Sequence, residues 1–258
     1  MKNLLIGSIS GNYTVNNVKT WIETSNDFEN VERVLFLYND TNPELKSFCI
    51  KNDITVIVPD FDFYGNPISE FIADSGKLTP ENSHKLIHHI RFLHYAIFLK
   101  EVDENARVLL TDVNDVKFQS NPFNHSRFSS HNGIIATSEE ISFERENWNL
   151  SCLDATLGLF GMGEIRQMKI NCAGVIGGSA NKLLDICKDI YLMCIGKPRN
   201  ADQIAFNYLI NTRYKNITSF SGINNNFAIH LHVIAHKLIP FDLSNLSNYS
   251  IIHQYDRL

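Results

Sequence analysis

The chain predicts an α/β fold: a mostly parallel sheet flanked by helices, with a mixed second half. Three observations carry this. In the first half, strand-like apolar runs alternate with helix-like segments. The runs are almost continuously apolar rather than alternating, the pattern of strands covered on both faces. They end in turn residues such as Gly7 and Ser8, Asn39 and Asp40, or Pro59.

The elements follow in order. The segment "NLLIGSI" is a first buried strand, and "TVNNVKTWIETS" is a helix with Val15, Val18 and Ile22 on one face. "RVLFLYND" is a second strand. "NPELKSFCIKN" opens a helix at Pro43, and "ITVIVPD" is a third strand. The stretch "PENSHKLIHHIRFLHYAIFLKEV" predicts one long helix, with Ser83 as N-cap and Leu86, Ile90, Leu93 and Ile97 along its inner face. "RVLLTD" is the fourth strand. In the second half, "GIIATSEE" and "CAGVIGGS" predict short strands. "ANKLLDICKDIYLMCIGK" and "NADQIAFNYLINT" predict helices, the latter with Asn200 or Asp202 near its start. "HLHVIAHKLI" and "YSIIHQYDR" are expected as late strands and a tail. No repeat or linker divides the chain, so residues 1–258 are expected as one domain. An α/β nucleotide-binding half is expected over about 1–120 and a mixed acceptor-binding half over about 121–258.

Composition narrows the function. The 258 residues can bury a substantial core, and 44% hydrophobic with 20% charged residues excludes a disordered chain. A formal net charge of -5 argues against a nucleic-acid binder working through bulk electrostatics. The five cysteines are dispersed, without a C-x-x-C pair, and predict buried thiols in a reducing compartment. No apolar stretch is long enough to span a bilayer, and the N-terminus does not read as a signal peptide. A cytoplasmic protein is expected, with peripheral docking at a membrane by analogy alone.

Ligands on parallel sheets bind beyond the carboxyl ends of the strands. Asp112, Asn39 and Asp40, Asp60, and the stretch from Gly7 to Gly11 all sit at such ends. The sharpest of these is "RVLLTDVNDVKFQSNPF", where a buried run stops at two carboxylates, Asp112 and Asp115. Two carboxylates this close can share Mg²⁺ or Mn²⁺, hard cations that take one or two protein carboxylates and complete their shell with substrate phosphates. Spacing alone leaves a strand cap and a solvated loop acid equally open.

This stretch resembles the acidic motif of nucleotide-sugar-dependent glycosyltransferases of the GT-A fold. It is a D-x-x-D variant of their D-x-D, preceded by an apolar strand and followed by Phe-Gln and Asn-Pro-Phe. Three later segments resemble further family features in the family's order. "INCAGVIGGS" is similar to the small-residue strand lining the donor-sugar pocket, which implies Asn171 and Gly174 at the sugar. "ADQIAFN" is similar to the Asp-Gln motif of retaining galactosyltransferase-like and glycogenin-like enzymes, which implies Asp202 and Gln203 at the reacting centre. His253 in "SIIHQYDRL" resembles the third metal ligand, joining Asp112 and Asp115, although the Gly and Lys-Pro that follow it in glycogenin-like enzymes are absent. Arg257 is then placed to contact phosphate. Gly7, Ser8 and Asn12 are expected at the base and ribose. Arg91 is expected either at the donor diphosphate or as a surface helix residue.

The resemblance implies a metal-dependent, retaining glycosyltransferase using Mn²⁺ or Mg²⁺. It would move a sugar from a nucleotide diphosphate, UDP-linked, to a hydroxyl acceptor such as a glycan or lipid-linked glycan. An inverting enzyme would need a base, with Glu139, Glu140, Glu144 and Asp154 as candidates. Two rivals stand beside it. A nucleotidyltransferase would usually carry a Gly-rich basic first loop, absent from "GSISGNYTVNN". A non-catalytic nucleotide-sugar-binding module would bind a donor without turnover. His84, His88 and His89, or His232 and His236, lack the H-E-x-x-H context of a zinc site. Cys172 shows no histidine partner in the sequence and is expected as a buried thiol.

Overall fold

A computed structural model describes residues 2–10, 12–40, 42–62, 64–73, 77, 79–129 and 132–258; Gly11 lies outside the described residues. Strands β1 (Asn3–Ser10), β2 (Val31–Tyr38), β3 (Thr55–Ile57) and β4 (Arg107–Thr111) run parallel to one another. They join β6 (Ile134–Ser142), β7 (Lys169–Ser179) and β8 (Thr218–Ser221) in a seven-stranded sheet of order β3-β2-β1-β4-β7-β6-β8. Only β7 opposes its neighbours β4 and β6. A second, three-stranded sheet places β10 (Ile251–His253) between β5 (Val116–Phe118) and β9 (Ala228–His230). The expected α/β fold with a mostly parallel sheet and a mixed second half is therefore observed.

The continuous apolar runs are explained by cover on both faces. Leu4, Ile6, Val34, Phe36, Val108 and Leu110 pack with helices α3 (Ile87–Leu99) and α6 (Ala180–Cys194) in one core cluster. Leu5, Leu35, Leu37 and Leu109 alternate to the other face, against Trp21 and Ile22 of α1 (Val15–Ser25) and Cys49 of α2 (Pro43–Lys51). Pro43 does open α2, behind an Asn42 cap whose side chain accepts from Leu45 N.

Two expectations are corrected. The long helix is broken: a 3₁₀ segment covers Pro80–Lys85, Leu86 is extended (ψ 122°), and α3 starts only at Ile87. The N-cap of α3 is Leu86 rather than Ser83. The Ser83 hydroxyl accepts from Gly196 N, and Ile97 is exposed rather than inward. The segment "HLHVIAHKLI" holds helix α8 (Leu231–Ala235) rather than a strand, with its first residue in β9. Among the described residues, no helix is long and apolar enough to cross a membrane.

The end of β4 is held from several sides. Thr111 Oγ1 accepts from Trp21 Nε1 at 2.8 Å, and Asn114 Oδ1 accepts from Asn17 Nδ2 at 2.8 Å. Val113 turns into the core beside Gly7, where a Cβ on residue 7 would lie 2.3 Å from Val113 Cγ2. Gly7 thus serves the close approach of this loop. Gly7→Ala must displace a buried side chain and should lower stability by about 1–3 kcal/mol in urea denaturation. An unchanged midpoint and slope would contradict this packing.

Candidate active site

The D-V-N-D segment divides its side chains by chemistry. Val113 is buried, Asn114 ties to α1, and Asp112 and Asp115 both face a cleft. The tail is drawn to the same place. Asp115 O accepts from Gln254 N at 2.7 Å, and His253 of β10 pairs with Val116 of β5. His253 Nε2 then lies 3.6 Å from Asp112 Oδ2 and 3.5 Å from Asp115 Oδ1.

Asp112 is balanced on its other side by Arg91 of α3. One guanidinium nitrogen reaches Asp112 Oδ1 at 2.7 Å; the other reaches Oδ2 of Asp202, at the start of α7 (Ala201–Asn211), at 3.1 Å. Burial alone would raise the Asp112 carboxyl, but the Arg91 cation and His253 hold it far below the usual carboxylate range. Arg91 is therefore not a solvated helix residue: it is a largely buried hub joining two carboxylates, and it also lines the cleft.

Gly174 permits this meeting. A Cβ there would lie 2.6 Å from Asp112 Oδ2 and 2.7 Å from His253 Cε1. Asp112 N also donates to Gly174 O at 2.8 Å, extending the β4–β7 pairing by one residue. On β7, Ala173 N donates to Gln203 Oε1 at 2.8 Å, which leaves the Gln203 amide nitrogen as its donor for a ligand. Asn171 is buried deeper. Its backbone N–H meets Asn207 Oδ1, and its side chain donates to Lys169 O.

The cleft has two lobes, of about 690 and 640 Å³. Both are lined by His88, Arg91, Asp112, Asp115, Trp148 and Arg257. The first lobe adds Gly174, Asp202, Gln203 and His253; the second adds Ser8 and Asn12. Of the expected donor- and metal-binding residues, Gly7 and Asn171 line neither lobe, and of the four candidate bases Glu139 alone lines one; Glu140, Glu144 and Asp154 lie outside both.

Asp112, Asp115 and His253 form one group whose ligand atoms lie within 4.8 Å of one another. His253 Nε2 is buried without a hydrogen-bond partner. Its separations from the two carboxylates are too long for hydrogen bonds. They suit a shared divalent cation with bonds of about 2.0–2.2 Å. Burial opposes a charge on His253, but Cys172 and the two carboxylates outweigh it and raise its proton affinity well above the usual imidazole range. The residues present thus fit a cation. A second group, Cys172, His230 and His253, is spent differently. The Nδ1 atoms of His230 and His253 share a hydrogen bond at 2.9 Å, and burial pushes the Cys172 thiol up. Cys172 does have a histidine partner in space, with Sγ 3.4 Å from His253 Nδ1.

Sequence reasoning gave no site role to His88, and Glu139 entered it only as one of four candidate bases. His88 lies one turn before Arg91 on the same helix face, a signal that was available; burial lowers it to about 4. Glu139 reaches the first lobe where β6 loses register with β7 and Glu140 takes a left-handed φ of 62°. Burial first, then Glu146, raises the Glu139 carboxyl from 4.5 to about 7, against opposing effects of His253 and Cys172.

No protein-family model matches the chain. No curated protein matches it. Among solved structures it is similar to the galactosyltransferase LgtC, whose crystal structure was determined in complex with donor and acceptor sugar analogues. The identity is 14% and the TM-score 0.55, covering 98% of this chain and 87% of LgtC. The chain has the GT-A type, Rossmann-like fold.

A raised carboxyl costs stability as pH climbs. Between about 4.5 and about 7 the unfolded chain releases the Glu139 proton while the folded chain keeps it. Glu139→Gln should therefore gain on the wild type across this window, by up to roughly 3 kcal/mol, and hold that gain at higher pH. Urea melts in EDTA across the pH range check this. A difference independent of pH would contradict the placement.

Proposed function

We propose that the protein is a metal-dependent glycosyltransferase that moves a sugar from a nucleotide diphosphate, UDP-linked, to a hydroxyl acceptor with retention. The observation that carries this reading is the grouping of Asp112, Asp115 and the unpartnered His253 Nε2 at the carboxyl end of β4, between two lobes of one cleft. The likeness of fold to LgtC supports the reaction class.

Asp112, Asp115 and His253 would hold Mn²⁺ or Mg²⁺, which when bound supplies charge neutralisation for a leaving diphosphate. The remaining roles belong to the chain. Arg91 fixes Asp112 against Asp202 and so ties the metal-binding group to the sugar-binding side. Arg257, half exposed at the junction of the lobes, is available to a phosphate oxygen. Ser8 and Asn12 in the second lobe are assigned to the nucleoside. Asp202 and Gln203 in the first lobe are assigned to the sugar, with Gly174 giving it close access to the backbone. A fixed array of this kind acts mainly by electrostatic stabilisation of the charge that develops on the leaving group.

Release of UDP from UDP-sugars tests the proposal. Wild type should turn over with Mn²⁺ and stop in EDTA, whereas Asp112→Ala and Asp115→Ala should lose at least about 100-fold. Full activity of both variants in EDTA would refute the metal-dependent reading. Donor binding without UDP release under any condition would favour the non-catalytic module.

A further inference from the structure

We propose that Thr137 and His230 are positioning residues that fix the tautomer of His253, so that its Nε2 presents a lone pair to the cation site. This role rests on the metal-dependent reading above and goes one shell deeper into the same site.

The hydrogen bonds can be followed proton by proton. Thr137 Oγ1, on β6, donates to Val175 O, on β7, at 3.0 Å. A hydroxyl has one proton, so toward any other partner Thr137 can only accept. His230 Nε2 lies 3.0 Å from that same oxygen and must be the donor. His230 is 2% exposed, and a buried imidazole beside a second imidazole is neutral, with a single proton. That proton is on Nε2, so Nδ1 is bare. His230 Nδ1 lies 2.9 Å from His253 Nδ1, which must therefore carry the proton of this bond. Cys172 Sγ, at 3.4 Å, is a second and weaker acceptor for it.

What remains of His253 is Nε2, whose neighbours are the carboxylate oxygens of Asp112 and Asp115 at 3.6 and 3.5 Å. A lone pair set against two carboxylates is repulsive unless a proton or a cation lies between them. The backbone carbonyl of Val175 thus determines, through Thr137 and His230, that Nδ1 keeps its proton and that the nitrogen offered to a cation is Nε2. The opposite tautomer would put an N–H where the cation bonds. It would also leave a buried donor or acceptor unmatched at each step of the chain.

All of the participants are held rigidly. Thr137 and His230 are at most 2% exposed, and His230 and His253 are register partners on the adjacent strands β9 and β10. The imidazole rings meet edge to face, with an interplanar angle of 86°. Outer-shell partners of metal-binding histidines typically alter metal affinity by about 10- to 100-fold when removed.

The test uses the full chain with ¹⁵N-labelled histidine. Long-range ¹H–¹⁵N spectra, in EDTA and then with Mg²⁺ and UDP, report which ring nitrogens are protonated. Titration with Mn²⁺ in the presence of UDP, followed by electron paramagnetic resonance, reports affinity. The expected result is His230 protonated on Nε2 alone and, with Mg²⁺ and UDP, His253 protonated on Nδ1 alone. Thr137→Val and His230→Leu should weaken Mn²⁺ by about 10- to 100-fold, and Thr137→Ser should restore it. Thr137→Val is nearly isosteric, so it decides the matter if His230→Leu fails to fold. The role is overturned if His230 is protonated on Nδ1, or if Thr137→Val binds Mn²⁺ as tightly as the wild type. Wild type that takes up no Mn²⁺ at all would overturn the metal reading itself, an outcome distinct from a loss confined to the variants.

Discussion

The second half of this molecule is organised by the need to balance the charge of Asp112. A carboxylate at the end of a strand covered on both faces has lost part of its water, and neighbouring positive charge favours its ionised form. Two elements distant in sequence supply it. Helix α3 brings Arg91, and the C-terminal strand β10 brings His253. Each recruits a further element, because Arg91 also needs Asp202 of α7 and His253 also needs His230 of β9. Gly174 on β7 is the empty position around which they gather. One partly buried carboxylate thus joins two sheets and two helices at a single cleft.

The same constraint distinguishes residues that serve the cleft from those that serve packing. On β7, Asn171 and Ala173 are two residues apart and meet Asn207 and Gln203 of α7, four apart. Two strand residues advance about 6.6 Å and four helical residues about 6 Å, so the pairs form matched rungs. The rung nearer the cleft leaves Gln203 at the cavity; the deeper one uses Asn171 as a fastener. Gly7 is similar: its missing side chain admits Val113, which in turn sets the angle of the acidic loop.

The parallel half of the fold was legible in sequence because continuous apolar runs have few alternatives. The acidic pair was legible because carboxylates are conspicuous at the end of such a run. Other features depended on geometry that a one-dimensional pattern does not carry. The break at Leu86 falls inside a periodic apolar face, so it left no mark in the spacing. "HLHVIAHKLI" is short and apolar, and its first residue is indeed a strand residue, but Leu231–Ala235 form a helix, a choice that so short an apolar run does not reveal. Glu139 is aimed by a register shift between β6 and β7. His230 lies 23 residues from the histidine it contacts, and Thr137 lies 93 residues from His230.

The proposed function requires that the cleft bind a nucleotide diphosphate sugar through a cation held by Asp112, Asp115 and His253. Thermal denaturation of the chain with a panel of nucleotide sugars, in Mn²⁺ and in EDTA, tests it most directly. A ligand that binds only the folded state raises the midpoint in proportion to its occupancy. The expected result is a rise with a UDP-sugar in Mn²⁺ that disappears in EDTA. A rise of equal size in EDTA, or none with any nucleotide sugar in either condition, would contradict it.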